Sequence, residues 1–292
     1  MPISNEQLSF DRHVEFFKGL GALTGDSKRD AHCYRQAEHM HALCITDAIL
    51  DIHFQAASLA PNITSTDANF HMRFGVARRS KFIWLSFRGV LGLVPTDRTD
   101  PLPGEQVEEV ARDLNVIYIN IRGTLDNLAW LVRDLFAEEE TRELPPMKVG
   151  LFSNDFLKDK NLSEVVKLME PFHSWNRELS SRRDPAAHRI PLSVPPAFID
   201  DETKDEYYRV SEEYTNAVND AFKYTRNWEE AAPKFEKADV LNEKLQRIGK
   251  FLPVFVHHPS EGMMNIYPTV PEDIGNLVKV ARGIFEIVRK SQ

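Results

Sequence analysis

An arginine and a histidine with four residues between them stand in the run Arg183-Asp184-Pro185-Ala186-Ala187-His188. A guanidinium presents a fixed fork of donors that matches phosphate oxygens. An imidazole titrates near neutral pH, so it can give or take a proton during a reaction. Together the two side chains suit chemistry at a phosphodiester. A second arginine and histidine at similar spacing, Arg35 and His41, lie inside a strongly periodic helical stretch with no supporting context.

Two further patterns point elsewhere. Glu38 with His41, and Glu170 with His173, are each a carboxylate followed three residues later by a histidine, the spacing used in di-iron carboxylate bundles. Such a site also needs an inward glutamate from each of two other helices. Glu108 and Glu109 belong to polar first turns, and Pro171 interrupts the second pair. His32, His39 and His53 share a helical face but are at least two turns apart, too far to hold one ion. His257 and His258 point to opposite faces at a strand end. No glycine-rich phosphate loop, cysteine pair or nucleophile elbow is present, so no metal or other cofactor is expected.

The run at 183–188 resembles the signature of HEPN domains, α-helical bundles found among prokaryotic toxins, phage-defence proteins and RNA-processing enzymes. Leu125 to Trp130 (LDNLAW), Val149 to Leu157 (VGLFSNDFL) and Arg189 to Pro196 (RIPLSVPP) are similar to bacterial proteins of that superfamily. The likeness covers most of residues 26–188 and the last helix, and leaves out 201–247. It implies a homodimer whose paired motifs line a cleft where RNA is cut without metal. His188 would then be general acid or base at the ribose 2'-hydroxyl or the leaving oxygen. Arg183 would stabilise charge growing on the phosphate, and Asp184 would orient the ring from one helical turn away. Arg182 and Arg189 would hold the substrate. One departure stands out: in that family the motif opens a helix that continues, whereas Pro191 leaves room for only a short turn after Pro185. The same residues also have a structural reading, with Asp184 as an N-cap and Pro185 as the first helical residue.

A net charge of -8 argues against nonspecific duplex binding, which needs many phosphate contacts. Two basic stretches remain, Arg73, Arg78, Arg79, Lys81 and Arg88, then Arg177, Arg182, Arg183 and Arg189. Cys33 and Cys44, three helical turns apart, are read as reduced thiols. The first nineteen residues hold no secretory h-region. The apolar run 82–94 contains Arg88 and is shorter than the roughly 20 residues a span requires. A cytoplasmic protein without a membrane partner is expected.

The elements that must position the motif follow from hydrophobic spacing. Cys33, Ala37, Met40, Cys44, Ala48 and Ile52 predict a helix over 26–60, ended by Pro61. A second begins near Ser65 or Thr66 and runs to about Val90. Residues 105–139 are the clearest helix, with Val107, Val110, Leu114, Ile117, Ile121, Leu125, Leu128, Val132 and Leu135 on one face. An extended segment at 147–152 and a helix over 161–180 come next, then a proline-rich segment. A charged, aromatic-bearing helical pair is expected at 201–247, turned near Pro233. A β-hairpin at 251–268 precedes a final helix with Ile274, Leu277, Val278, Ala281, Ile284, Phe285 and Val288 inward.

These readings make an all-α, up-and-down HEPN-like bundle spanning 1–292 as one domain, with a helical insertion and a short hairpin. The expected function is metal-independent RNA cleavage by a homodimer, in phage defence or a toxin system. The alternatives are a catalytically silent helical module that binds a nucleotide, nucleic acid or protein partner, and a di-metal carboxylate bundle.

Overall fold

The computed structural model describes residues 3–188, 190–257 and 262–291, with the side chains of 185–188 outside the description. It is an all-α bundle. In chain order come α1 (Phe10–Gly19), α2 (Ser27–Leu59), α3 (Thr66–Phe70), a π-helical segment (His71–Ala77), α4 (Arg78–Leu93), α5 (Gly104–Phe136), α6 (Glu139–Arg142), α7 (Ser163–Met169), α8 (His173–His188), α9 (Lys204–Phe222), α10 (Trp228–Leu245), the strands β1 (Val254–Phe255) and β2 (Met264–Asn265), and α11 (Thr269–Lys290).

Local signals fix several starts. The Asp26 side chain accepts from the Lys28 and Arg29 N–H groups, and Ser65 accepts from Ala68. Both answer helix N–H groups that have no partner within the helix. The faces are those the spacing predicts. Every inward residue expected on α11 is buried, as is the run from Val110 to Val132 on α5. On α2 the buried face includes Ile45, Ile49 and His41, while Met40 lies outside. With its continuation to Asn62, α2 is long and apolar enough to cross a membrane by composition alone, which the sequence reading had missed in favour of 82–94. In this fold its inner face packs against α4 and α11.

Polar contacts set the register between helices. Gly75 lies against Asn127, Arg79 bonds Asn120, and Gly89 faces Asp113, so α4 and α5 run antiparallel. Any side chain at Gly75 would overlap Asn127. The α2–α4 pair is also antiparallel, tied by His53 to the Ala77 carbonyl and by Thr96 to that of Arg35. Residues Ile45, Asp51 and Gln55 meet Gly275, Arg282 and Arg289, so α11 runs parallel to α2. The hairpin pairs Val254 with Asn265 and Phe255 with Met264. Asn115 on α5 clamps the proline-rich segment by donating to the Leu192 carbonyl and accepting from its N–H.

Three expectations need correction. The turn of the charged pair falls at residues 223–227, and Pro233 sits inside α10. A proline in a helix removes one hydrogen bond, and packing of α10 on α9 outweighs that loss. Residues 146–148 form a 3-10 turn where extended chain was expected. The helix expected over 161–180 is divided by a 3-10 turn at Glu170–Phe172, where Pro171 lies, and α8 then continues to His188.

His41 is fully buried, its Nε2 3.1 Å from the Leu8 carbonyl and its ring 5.5 Å from that of His13. Burial holds its pKa down at about 4, against the Leu8 bond, with His13 and Lys279 adding to the depression. The unfolded ring takes a proton below about pH 6.5, and the folded one not until about 4. The resulting stabilisation is therefore complete above pH 6.5 and is lost as pH falls towards 4, amounting to roughly 3 kcal/mol. Denaturant titrations of wild type and His41→Gln from pH 7 to 4 should show the gap between them closing in that window; parallel curves would contradict it.

Candidate functional site

The predicted motif lies at the end of α8, because the helix runs on through Pro185 instead of starting there. Asp184 is thus a residue of the helix and not its N-cap. The structural reading, with Asp184 as N-cap and Pro185 as the first helical residue, is corrected; the departure from a motif that opens a continuing helix stands, since α8 ends at His188. His188 is the last residue of α8, with its side chain outside the described residues; Arg189 lies outside them altogether.

Arg183 and Asp184 bond each other, Nη1 to Oδ1 at 3.0 Å, with Arg183 about a quarter exposed. Arg182 turns the other way. Its guanidinium is 13% exposed and bonds Asp273 at 3.0 and 3.2 Å and Glu178 at 3.1 Å. The expectation that Arg182 meets substrate is therefore replaced by a core role. Asp273, 2% exposed, also accepts from the Trp175 indole N–H at 2.9 Å and the Tyr118 hydroxyl at 3.0 Å. Burial pushes the Asp273 carboxyl up to about 6, while Arg182 and the two donors pull it down. This network joins α5, α8 and α11, and so fixes the direction in which the next residue, Arg183, leaves the helix.

The charge of Arg183 bears on an arginine-rich group of residues on α4 and α5. On α5, Arg122 pairs with Asp126 one turn later at 3.3 Å and donates to Asn176 of α8 at 3.1 Å. On α4, Arg79 donates to Asn120 at 3.1 Å and lies flat over Gly123, the space a Cβ would occupy. Partial burial raises the Asp126 carboxyl above its ordinary range against the pull of Arg122, Arg183 and Arg79. Arg122 thus pairs with Asp126, and the charges of Arg79 and Arg183 act on the same carboxylate, while Arg183 is itself bonded to Asp184. That arrangement is suited to a phosphate group.

The sequence reading named Arg183 and placed Arg79 in a basic stretch, but missed Arg122 and Asp126. Their four-residue spacing on α5 was available as a signal, although it reads equally as a surface ion pair. Nor did it single out His71, whose Nδ1 is 3.1 Å from the Asn127 amide oxygen and whose ring stacks on Trp130. That histidine ties the π segment to α5.

The rival constellations separate. Glu38 is pushed up to about 7 by burial, with Arg35 pulling it down, while His41 faces Leu8. His173 stands edge-on to Phe152. Among the described residues no three histidine, cysteine or carboxylate side chains are placed to share a metal ion. Both cysteines are free thiols. No family model, curated protein or solved structure matches the chain.

Proposed function

We propose that the chain is a metal-independent endoribonuclease of the HEPN type, acting in the cytoplasm as a homodimer, in phage defence or a toxin system. The observation that carries this reading is the Arg122–Asp126 pair on α5, whose carboxylate also feels the charges of Arg79 on α4 and Arg183 on α8. Arg183 neutralises charge growing on the phosphate, with Arg79 and Arg122 holding neighbouring oxygens. His188, in the role implied by the resemblance, takes the 2'-hydroxyl proton or supplies one to the leaving oxygen. Asp184, one turn earlier on α8, is its orienting carboxylate.

A second reading is a catalytically silent module that binds nucleotide, nucleic acid or a protein partner. Its support is that Arg182 is spent in the core and Arg183 is bonded to Asp184. Incubating single-stranded RNA with the purified chain in excess chelator separates the two. The first reading expects strand cleavage that His188→Ala removes with folding intact; RNA retention without cleavage supports the second, and neither retention nor cleavage overturns both for nucleic acid.

A further inference from the structure

Residues 66–93 contain five basic side chains and one acidic one, in a chain of net charge -8. Arg79 turns towards α5, and the other four cations, Arg73, Arg78, Lys81 and Arg88, are exposed. Among them stand Phe70, Phe74, Phe82 and Leu85, respectively 58%, 55%, 44% and 47% exposed. Within α4, Arg78 and Phe82 are four residues apart, as are Lys81 and Leu85, with Arg88 three beyond Leu85. These spacings bring cationic and apolar side chains side by side along one outward face. Met72, Val76, Ile83 and Phe87 fill the opposite, buried face. The neighbouring helix extends the patch: His53 of α2 bonds the Ala77 carbonyl, and the next residue, Phe54, is 60% exposed.

An apolar patch of this kind marks a surface that meets something other than water. A two-fold contact with a second copy would set these four cations near the same four. A nucleic acid strand would answer the charge, yet Leu85 has no ring to stack on a base, and the exposed positions of α4 offer no side-chain hydrogen-bonding group besides the cations. An anionic bilayer answers both features. Lys and Arg sit at the level of the lipid phosphates while phenyl and leucyl groups enter the acyl boundary. We propose that the α3–α4 face, extended by Phe54, is a peripheral docking surface for anionic lipid membranes. The proposal departs from the expectation of no membrane partner, which was argued from the shortness of the apolar run 82–94; surface docking needs no span.

Co-sedimentation with vesicles tests this directly, using phosphatidylcholine alone and a mixture of roughly three parts phosphatidylcholine to one of phosphatidylserine. Wild type should pellet with the mixed vesicles and stay in solution with the neutral ones. The paired variant Phe74→Ser, Phe82→Ser should lose binding. Arg78→Gln with Lys81→Gln, which spares every apolar residue and so carries the test if the first pair misfolds, should weaken it about fivefold for each charge removed. No pelleting of wild type, or pelleting that both folded variants retain, would overturn the proposal. So would loss of self-association or of RNA binding in the phenylalanine pair, without any vesicle binding by wild type.

Discussion

Asp273→Ala should lower the unfolding free energy by about 3–5 kcal/mol, the range expected when one partner of a buried ion pair is removed. The carboxylate accepts from Arg182, Trp175 and Tyr118 together. Its loss leaves the Arg182 guanidinium largely buried with Glu178 as its remaining ion-paired partner among the described residues, and strands an indole N–H and a phenolic hydroxyl. Adding Arg182→Met to Asp273→Ala should recover part of the loss, because a buried charge disappears with its partner. Urea denaturation of the two variants measures both effects; a double variant no more stable than the single one would show that the network acts through something other than charge burial.

The second large effect concerns activity. Arg183→Ala should reduce kcat about 100- to 1000-fold, the usual result of removing a donor aimed at developing charge. His188→Ala should cost about 100- to 10,000-fold, the range for a general acid or base. Arg183→Lys should restore little, since an ammonium lacks the fork. Arg122→Ala and Arg79→Ala should act chiefly on KM, because each is assigned ground-state contact with a neighbouring oxygen. Single-turnover kinetics separate these outcomes. No turnover by wild type, with all four alanine variants weakening RNA retention, would favour the silent binding module.

What was legible in the sequence was whatever depends on spacing within one helix. The inward positions of α5 and α11 and the helix starts near Asp26 and Ser65 are of this kind, since helical period and the chemistry of helix starts act within a few residues. The two-stranded hairpin before α11 was legible too, from its short apolar runs around Pro259 to Gly262. What was not legible depends on partners far along the chain. Asp273, in the early turns of α11, reads as a solvated carboxylate favoured by the helix dipole, until Arg182, Trp175 and Tyr118 are brought to it from 91, 98 and 155 residues away. Arg79 lies against α5 only because Gly123 leaves room there for a guanidinium. Prolines misled twice. Pro185 and Pro233 each suggested a boundary, but a single missing N–H is tolerated within α8 and α10.

The most direct measurement uses a DNA strand carrying a single ribose, mixed with the protein in excess chelator. If the ribose 2'-hydroxyl attacks the phosphate held by Arg183 and its neighbours, the strand is cut only on the 3' side of that ribose, leaving a 2',3'-cyclic phosphate. Cleavage at deoxy positions, or cleavage that appears only when a divalent cation is added, would contradict the account.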